Sequence, residues 1–391
     1  MTLLQKLKNG ILYVDGAMGT QLQAQGLALG ELPEYWNLSH PEKVTAIHRA
    51  YLSAGSDVVY ANTFGANSYK FGDQTEAVIT AGIACAKAAT KGLKNKYVAL
   101  DVGSLGKLLK PLGPLDFEEA VTEFKRIVSA GYKAGADLVA IETMNDIYEL
   151  KAAVVACKEV CNLPIFATCV FGKDGKTMTG TSPEAVVATL EGLGVTALGL
   201  NCSLAPAEMQ DVVKRMLAVA SVPVIVKPNA GLPEEREGRT IYNVDAEKFA
   251  SDIKVLAQMG ARVLGGCCGT DPDYIQKLVA ATQNVTLAPI TKKNLTVISS
   301  YTHAVTFGDI PVLIGERINP TGKKRLKQAL KEHDIAYVLN EAVKQEEAGA
   351  HVLDVNVGLP EVDEKALLTE CVSEIQAVTA LPLQLDTSSP E

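Results

Sequence analysis

Cys267 and Cys268 stand side by side in a glycine-rich run, Gly265-Gly266-Cys267-Cys268-Gly269, and Cys202 ends an apolar run after Asn201. A set of three thiolates suits zinc, which takes sulfur ligands in tetrahedral geometry. Three protein ligands leave one position open, as in a reactive site, whereas a structural site is normally closed by four. A thiol bound in the open position would lose its proton near neutral pH. Beside three thiolates that sulfur would keep its nucleophilicity, which suits attack on a methyl group. Adjacent residues of an extended strand point to opposite faces, so both neighbouring cysteines reach one ion only where the backbone leaves the extended form. Gly265, Gly266 and Gly269 are expected to permit this through positive φ. Two other readings stay open on spacing alone: a pair of small buried residues, or a vicinal disulfide.

The elements that must bring these cysteines together follow from hydrophobic patterning. Eight short apolar runs, rich in Val, Ile and Leu, read as buried parallel strands: Ile11–Asp15, Asp57–Thr63, Tyr97–Gly103, Asp137–Thr143, Leu163–Phe171, Val195–Cys202, Val222–Ala230 and Ala261–Gly269. Amphipathic stretches between them read as helices, with starts at Ser39-His40-Pro41-Glu42, Asp116, Ser182-Pro183-Glu184 and Asp271-Pro272. Glycine ends are expected at Gly55 and Gly135. The predicted fold is α/β: a (β/α)₈ TIM barrel over residues 1–290. An open doubly wound sheet would need a phosphate-type glycine loop, and Asp15–Thr20 lacks the spacing.

A polar linker is expected over residues 291–310, and the alternation restarts over residues 311–391 as an incomplete second (β/α) barrel. Its three strands are Pro311–Asn319, His351–Gly358 and the run from Leu381, with a further helix start at Ser389-Pro390-Glu391.

In such a barrel the reactive face lies at the C-terminal ends of the strands. Those ends carry Asp15, Asn62, Thr63, Glu142, Thr143, Asn201, Cys202, Asn229, Cys267 and Cys268. Three cysteines thus converge on one mouth. Asp15 and Glu142 are candidates to hold a substrate ammonium group, and backbone N–H groups from Gly16 to Thr20 a carboxylate. An amino acid bearing a thiol fits these parts. Asn229 is a candidate for the fourth zinc position. On its own, each polar residue is equally readable as a cap, a turn residue or a local ion pair.

The remaining composition narrows the class. A net charge of −8 argues against nucleic-acid binding. No apolar run is long enough to span a bilayer, and no signal segment is apparent, so the reading is a cytoplasmic protein. Cys85, Cys157, Cys169 and Cys371 read as core residues.

Six motifs carry a resemblance: DGAMGTQL at Asp15–Leu22, ANTFGAN at Ala61–Asn67, IETM at Ile141–Met144, GLNCS at Gly199–Ser203, KPNAG at Lys227–Gly231 and GGCCGT at Gly265–Thr270. Together they resemble the homocysteine S-methyltransferase domain over roughly residues 1–290. The resemblance implies zinc-bound homocysteine at Cys202, Cys267 and Cys268. It makes Asp15, Gly16, Thr20, Asn62, Thr63, Glu142, Asn201 and Asn229 the homocysteine-binding set. GERINPTG at Gly315–Gly322, LDVNVG at Leu353–Gly358 and LQLDTSSPE at Leu383–Glu391 resemble the start of a pterin-binding methyltetrahydrofolate barrel. By that resemblance Glu316, Asn319, Asp354, Asn356 and Asp386 line a pterin pocket.

This domain order is similar to the cobalamin-dependent methionine synthases. It implies methylcobalamin as methyl donor, carried by a cobalamin-binding region not contained in this sequence, and methyltetrahydrofolate as methyl source. The runner-up is a homocysteine methyltransferase using betaine or S-methylmethionine directly. A non-catalytic zinc- and thiol-binding protein is the reading from another class.

Overall fold

A computed structural model of the chain describes residues 2–28, 30–236, 239–308 and 310–389. It divides into two compact units, residues 1–179 with 189–293, and residues 180–188 with 294–391.

Eight parallel strands dominate the first unit. In chain order they are β1 (Leu12–Tyr13), β2 (Val58–Tyr60), β3 (Tyr97–Val102), β4 (Leu138–Met144), β5 (Ile165–Cys169), β6 (Ala197–Asn201), β7 (Val224–Lys227) and, after a hairpin of β8 (Pro233–Arg236) and β9 (Arg239–Tyr242), β10 (Val263–Leu264). Neighbours run β1-β10-β7-β6-β5-β4-β3-β2, and a parallel bridge between Val14 and Val58 links the two ends into a ring. The strands are apolar on both faces because helices cover the outside while side chains fill the inside. Val14, Tyr60, Ala140, Phe166 and Ile225 belong to that inner core, joined by Leu3 and Leu7 of the N-terminal helix Leu3–Asn9. The sequence left this helix unassigned.

Most expected helix ends hold. The Asp116 carboxylate accepts from the Glu118 N–H, Asp271 caps Pro272–Thr282, and Gly55 and Gly135 take positive φ. Ser39 differs: it ends a short helix, Trp36–Ser39, and His40 precedes Pro41–Ala54 without a side-chain cap. The β8–β9 hairpin was also not read from the sequence, which has β7 running directly to a helix.

The eighth barrel strand is far shorter than expected, and its glycines act differently. Only Gly269 takes positive φ, at +81°. A Cβ on Gly265 would lie 2.3 Å from Val14 Cγ2, and one on Gly266 2.3 Å from Thr270 Oγ1. These two glycines therefore allow close approach of backbone and side chains.

In the second unit the expected linker contains an antiparallel hairpin, β11 (Thr296–Ser299) with β12 (Ala304–Phe307). Its TVIS and AVTF runs are β-branched and apolar enough to pair. A parallel sheet then follows in the order β13 (Ile314–Ile318), β14 (Val352–Val355), β15 (Leu383–Leu385). Helices Lys324–Lys331, Ile335–Glu347 and Glu364–Val378 connect these strands. No second barrel is evident among the described residues. The expected helix start at Ser389 runs into Pro390 and Glu391, which lie outside them. No described helix is long and apolar enough to cross a membrane.

Candidate active site

β6 delivers Cys202, and the turn after β10 delivers Cys267 and Cys268. Their three sulfurs lie within 4.8 Å of one another. That is the scale of two metal–sulfur bonds of about 2.3 Å each. Cys202 and Ser203 both have φ of +60°, a left-handed conformation that costs non-glycine residues about 1–3 kcal/mol each. The Cys202 N–H donates to the Lys227 carbonyl at 2.9 Å, which anchors the turn to β7.

The three thiols do not titrate alike. Hydrogen bonds from Cys267 and Cys268 push Cys202 down to about 2. The same sharing with Cys202 drives Cys267 well up and raises Cys268 to about 11. A cation among the three sulfurs is what would let all of them lose their protons. The donor set fits zinc.

Asn201 and Asn229 support this centre from behind. The Asn201 Oδ1 accepts from the Thr143 N–H at 2.9 Å and the Thr168 hydroxyl at 2.7 Å. Its Nδ2 donates to Thr143 Oγ1 at 2.7 Å and approaches Cys267 Sγ at 3.8 Å. Thr143 itself sits at φ +61°, beside a register shift in β4. Asn229 Oδ1 accepts from the Cys268 N–H at 3.1 Å, so this oxygen is engaged with the backbone.

A cavity of about 280 Å³ opens beside the sulfurs and is lined by Asp15, Glu142, Lys227 and the segment Gly16–Thr20. Helix Met18–Ala24 begins there with no side-chain cap. Asp15 Oδ2 accepts from the Tyr60 N–H at 2.8 Å, while Oδ1 is buried and unpartnered. Burial pushes the Asp15 carboxyl up to about 7, against the pull of Lys227. Glu142 Oε2 lies 2.5 Å from Lys227 Nζ, which stands 3.7 Å from the centroid of the Tyr60 ring.

Other predicted residues serve as struts. Asn62 lines the cavity, but its amide donates to the Pro33 carbonyl and to Asn37 Oδ1. The Thr63 hydroxyl donates to the Asp101 carbonyl at 2.8 Å, tying β2 to β3. The sequence reading passed over Asp101 and Lys227. Both end barrel strands, so the rule that found Asp15 and Glu142 would have found them too.

Of the five residues assigned to a pterin pocket, Asn319, Asp354, Asn356 and Asp386 fall at or just after the C-terminal ends of β13, β14 and β15, and Glu316 lies in the middle of β13. Asn356 Nδ2 donates to Asp386 Oδ2 at 3.0 Å, and Gln384 Nε2 to Asp354 Oδ1 at 3.0 Å. Glu316 pairs with Lys323 at 2.8 Å, and Asn319 Oδ1 accepts from the Thr321 N–H. Burial, then the charges of Asp386 and Glu316, raise the Asp354 pKa.

The chain is similar to known proteins in both sequence and fold. The homocysteine S-methyltransferase family model matches residues 12–282. A methionine synthase of Mycobacterium leprae is 31% identical over 414 residues, covering 99% of this chain and 34% of that protein. One of Mycobacterium tuberculosis is 32% identical over 409 residues, with the same two shares. The chain thus spans about a third of the length of these curated relatives. The apo form of the homocysteine methyltransferase MmuM from Escherichia coli superposes with a TM-score of 0.59 at 25% identity, covering 72% of this chain and 98% of that one. Its metallated form gives a TM-score of 0.60 at 25% identity, with shares of 70% and 96%.

Proposed function

The chain belongs to the homocysteine S-methyltransferase family, and we propose that it methylates homocysteine to methionine at a zinc centre held by Cys202, Cys267 and Cys268. On this reading the donor is methylcobalamin, recharged from methyltetrahydrofolate by a longer protein that also carries a cobalamin-binding region. The observation that carries the proposal is the approach of three sulfurs within 4.8 Å beside a cavity with an acidic wall. Matching along 99% of the chain to methionine synthases favours this donor over betaine or S-methylmethionine.

The residues divide the work by chemistry. Cys202, Cys267 and Cys268 would hold the zinc, whose Lewis acidity would keep a substrate thiol deprotonated near neutral pH. Glu142 and Asp15 bind the substrate ammonium group, and the N–H groups of Gly16–Thr20 receive its carboxylate. Asn201 and Asn229 hold the cysteine-bearing turns in place. Glu316, Asn319, Asp354, Asn356 and Asp386 present carboxylates and amides to the donor–acceptor edge of a pterin. A site built on free thiolates belongs in a reducing compartment, the cytoplasm.

The test is methionine formation by the purified zinc-loaded protein from homocysteine and methylcobalamin, run beside betaine and S-methylmethionine. Turnover with methylcobalamin alone is expected. Turnover only with a direct donor would replace the proposed donor, and no turnover with any would refute catalysis by this chain. Glu142→Gln should weaken homocysteine binding by about 1.5–3 kcal/mol while zinc stays in place.

A further inference from the structure

Four buried carboxylates, Asp15, Glu34, Asp101 and Glu142, line the cavity with one buried cation, Lys227. Lys227 Nζ donates to Glu142 Oε2 at 2.5 Å. Among the described residues no hydrogen bond is made to Oε1, and Glu142 lines the cavity. The ammonium also sits on the Tyr60 ring, which fixes its position by cation–π attraction. Asp15 Oδ1 and Asp101 Oδ1 are buried without partners. Without Lys227, Glu142 Oε2 would lose the one hydrogen-bond donor it has among the described residues, and the side chain would be free to turn away from the cavity.

We propose that Lys227 is a specificity-determining positioning residue, which locks Glu142 with one oxygen turned to the cavity so that the site selects thiols carrying an ammonium group. The inference rests on the homocysteine reading above. It assigns Lys227 to the substrate's amino end, acting through Glu142. The rival role for a cavity lysine, direct capture of the substrate carboxylate, makes the opposite prediction for truncated substrates.

The experiment is calorimetric binding to zinc-loaded protein, with zinc content measured for every variant. The ligands are homocysteine, its des-amino analogue mercaptobutanoate and its des-carboxy analogue aminopropanethiol. Lys227→Met should weaken homocysteine and aminopropanethiol roughly tenfold or more, as for a lost charge-assisted contact, and leave mercaptobutanoate within about twofold. Lys227→Arg should restore most of the affinity. Because Lys227→Met strands a buried carboxylate, Glu142→Gln with Lys227→Met gives a neutral pair that should fold. Compared with Glu142→Gln alone, that double variant should lose no further affinity. Wild-type binding of homocysteine with Lys227→Met unchanged would overturn the role of Lys227 alone. Weakened mercaptobutanoate binding, or a further loss in the double variant, would assign Lys227 to the carboxylate and overturn it equally. Wild-type protein that binds none of the three thiols would overturn the homocysteine reading and this inference with it.

Discussion

Asn201→Ala tests whether the proposed metal centre depends on a strut buried behind it. Asn201 is fully buried and makes three short hydrogen bonds: its Oδ1 accepts from the Thr143 N–H and the Thr168 hydroxyl, and its Nδ2 donates to Thr143 Oγ1. Each such bond is worth about 1 kcal/mol net. Truncation also leaves the Thr143 N–H without its acceptor, a penalty of about 1–3 kcal/mol for a buried donor. Thr143 is held at positive φ, so it has little freedom to find another partner. The sum is about 4–6 kcal/mol, among the largest losses a single substitution produces. Because Asn201 also approaches Cys267 Sγ at 3.8 Å, zinc affinity should fall about 10–100-fold, the usual cost of losing a supporting residue. Urea unfolding of the zinc-loaded protein gives the first quantity, and competition with a zinc chelator the second. A stability change below about 1 kcal/mol together with unaltered zinc affinity would refute the strut argument.

Three further outcomes follow from the same geometry. Cys202→Ala, Cys267→Ala and Cys268→Ala should each abolish stoichiometric zinc binding while the barrel stays folded, so elemental analysis showing full zinc in any one of them removes that residue from the ligand set. Gly266→Ala drives a methyl group to 2.3 Å from Thr270 Oγ1, beside the Cys267 turn, and should cost about 1–3 kcal/mol and weaken zinc binding. Wild-type thermal stability with zinc retained would show that the turn can yield. His48 is buried with neither ring nitrogen hydrogen-bonded, and burial pushes its pKa down to about 3. The unfolded chain then binds a proton that the folded one refuses, so stability should fall as pH drops from about 6.5 towards 3. His48→Leu should flatten that part of the pH–stability curve, and an unchanged slope would mean that other groups set it.

The sequence by itself determined the repeating unit and the mouth. Period and composition are local properties, so eight doubly apolar runs between amphipathic helices were enough to specify a parallel barrel. Strand-end position then brought Cys202 to Cys267 and Cys268 across more than sixty residues of chain, because parallel strands in a ring end on the same side. Local pattern failed where conformation departs from a regular element. The β8–β9 hairpin, the β11–β12 hairpin in the expected linker and the short β10 arise from chain reversals and close approaches that have no period. The sequence also suggested positive φ for Gly265 and Gly266, whereas the left-handed residues besides Gly269 at this mouth are Thr143, Cys202 and Ser203. Thr143 is held by Asn201 and Cys202 by the Lys227 carbonyl, partners supplied by other strands. Only the tertiary structure paired Glu142 with Lys227, which are 85 residues apart. Charge pairing depends on distance and on shared burial, and neither is encoded in the neighbourhood of either residue.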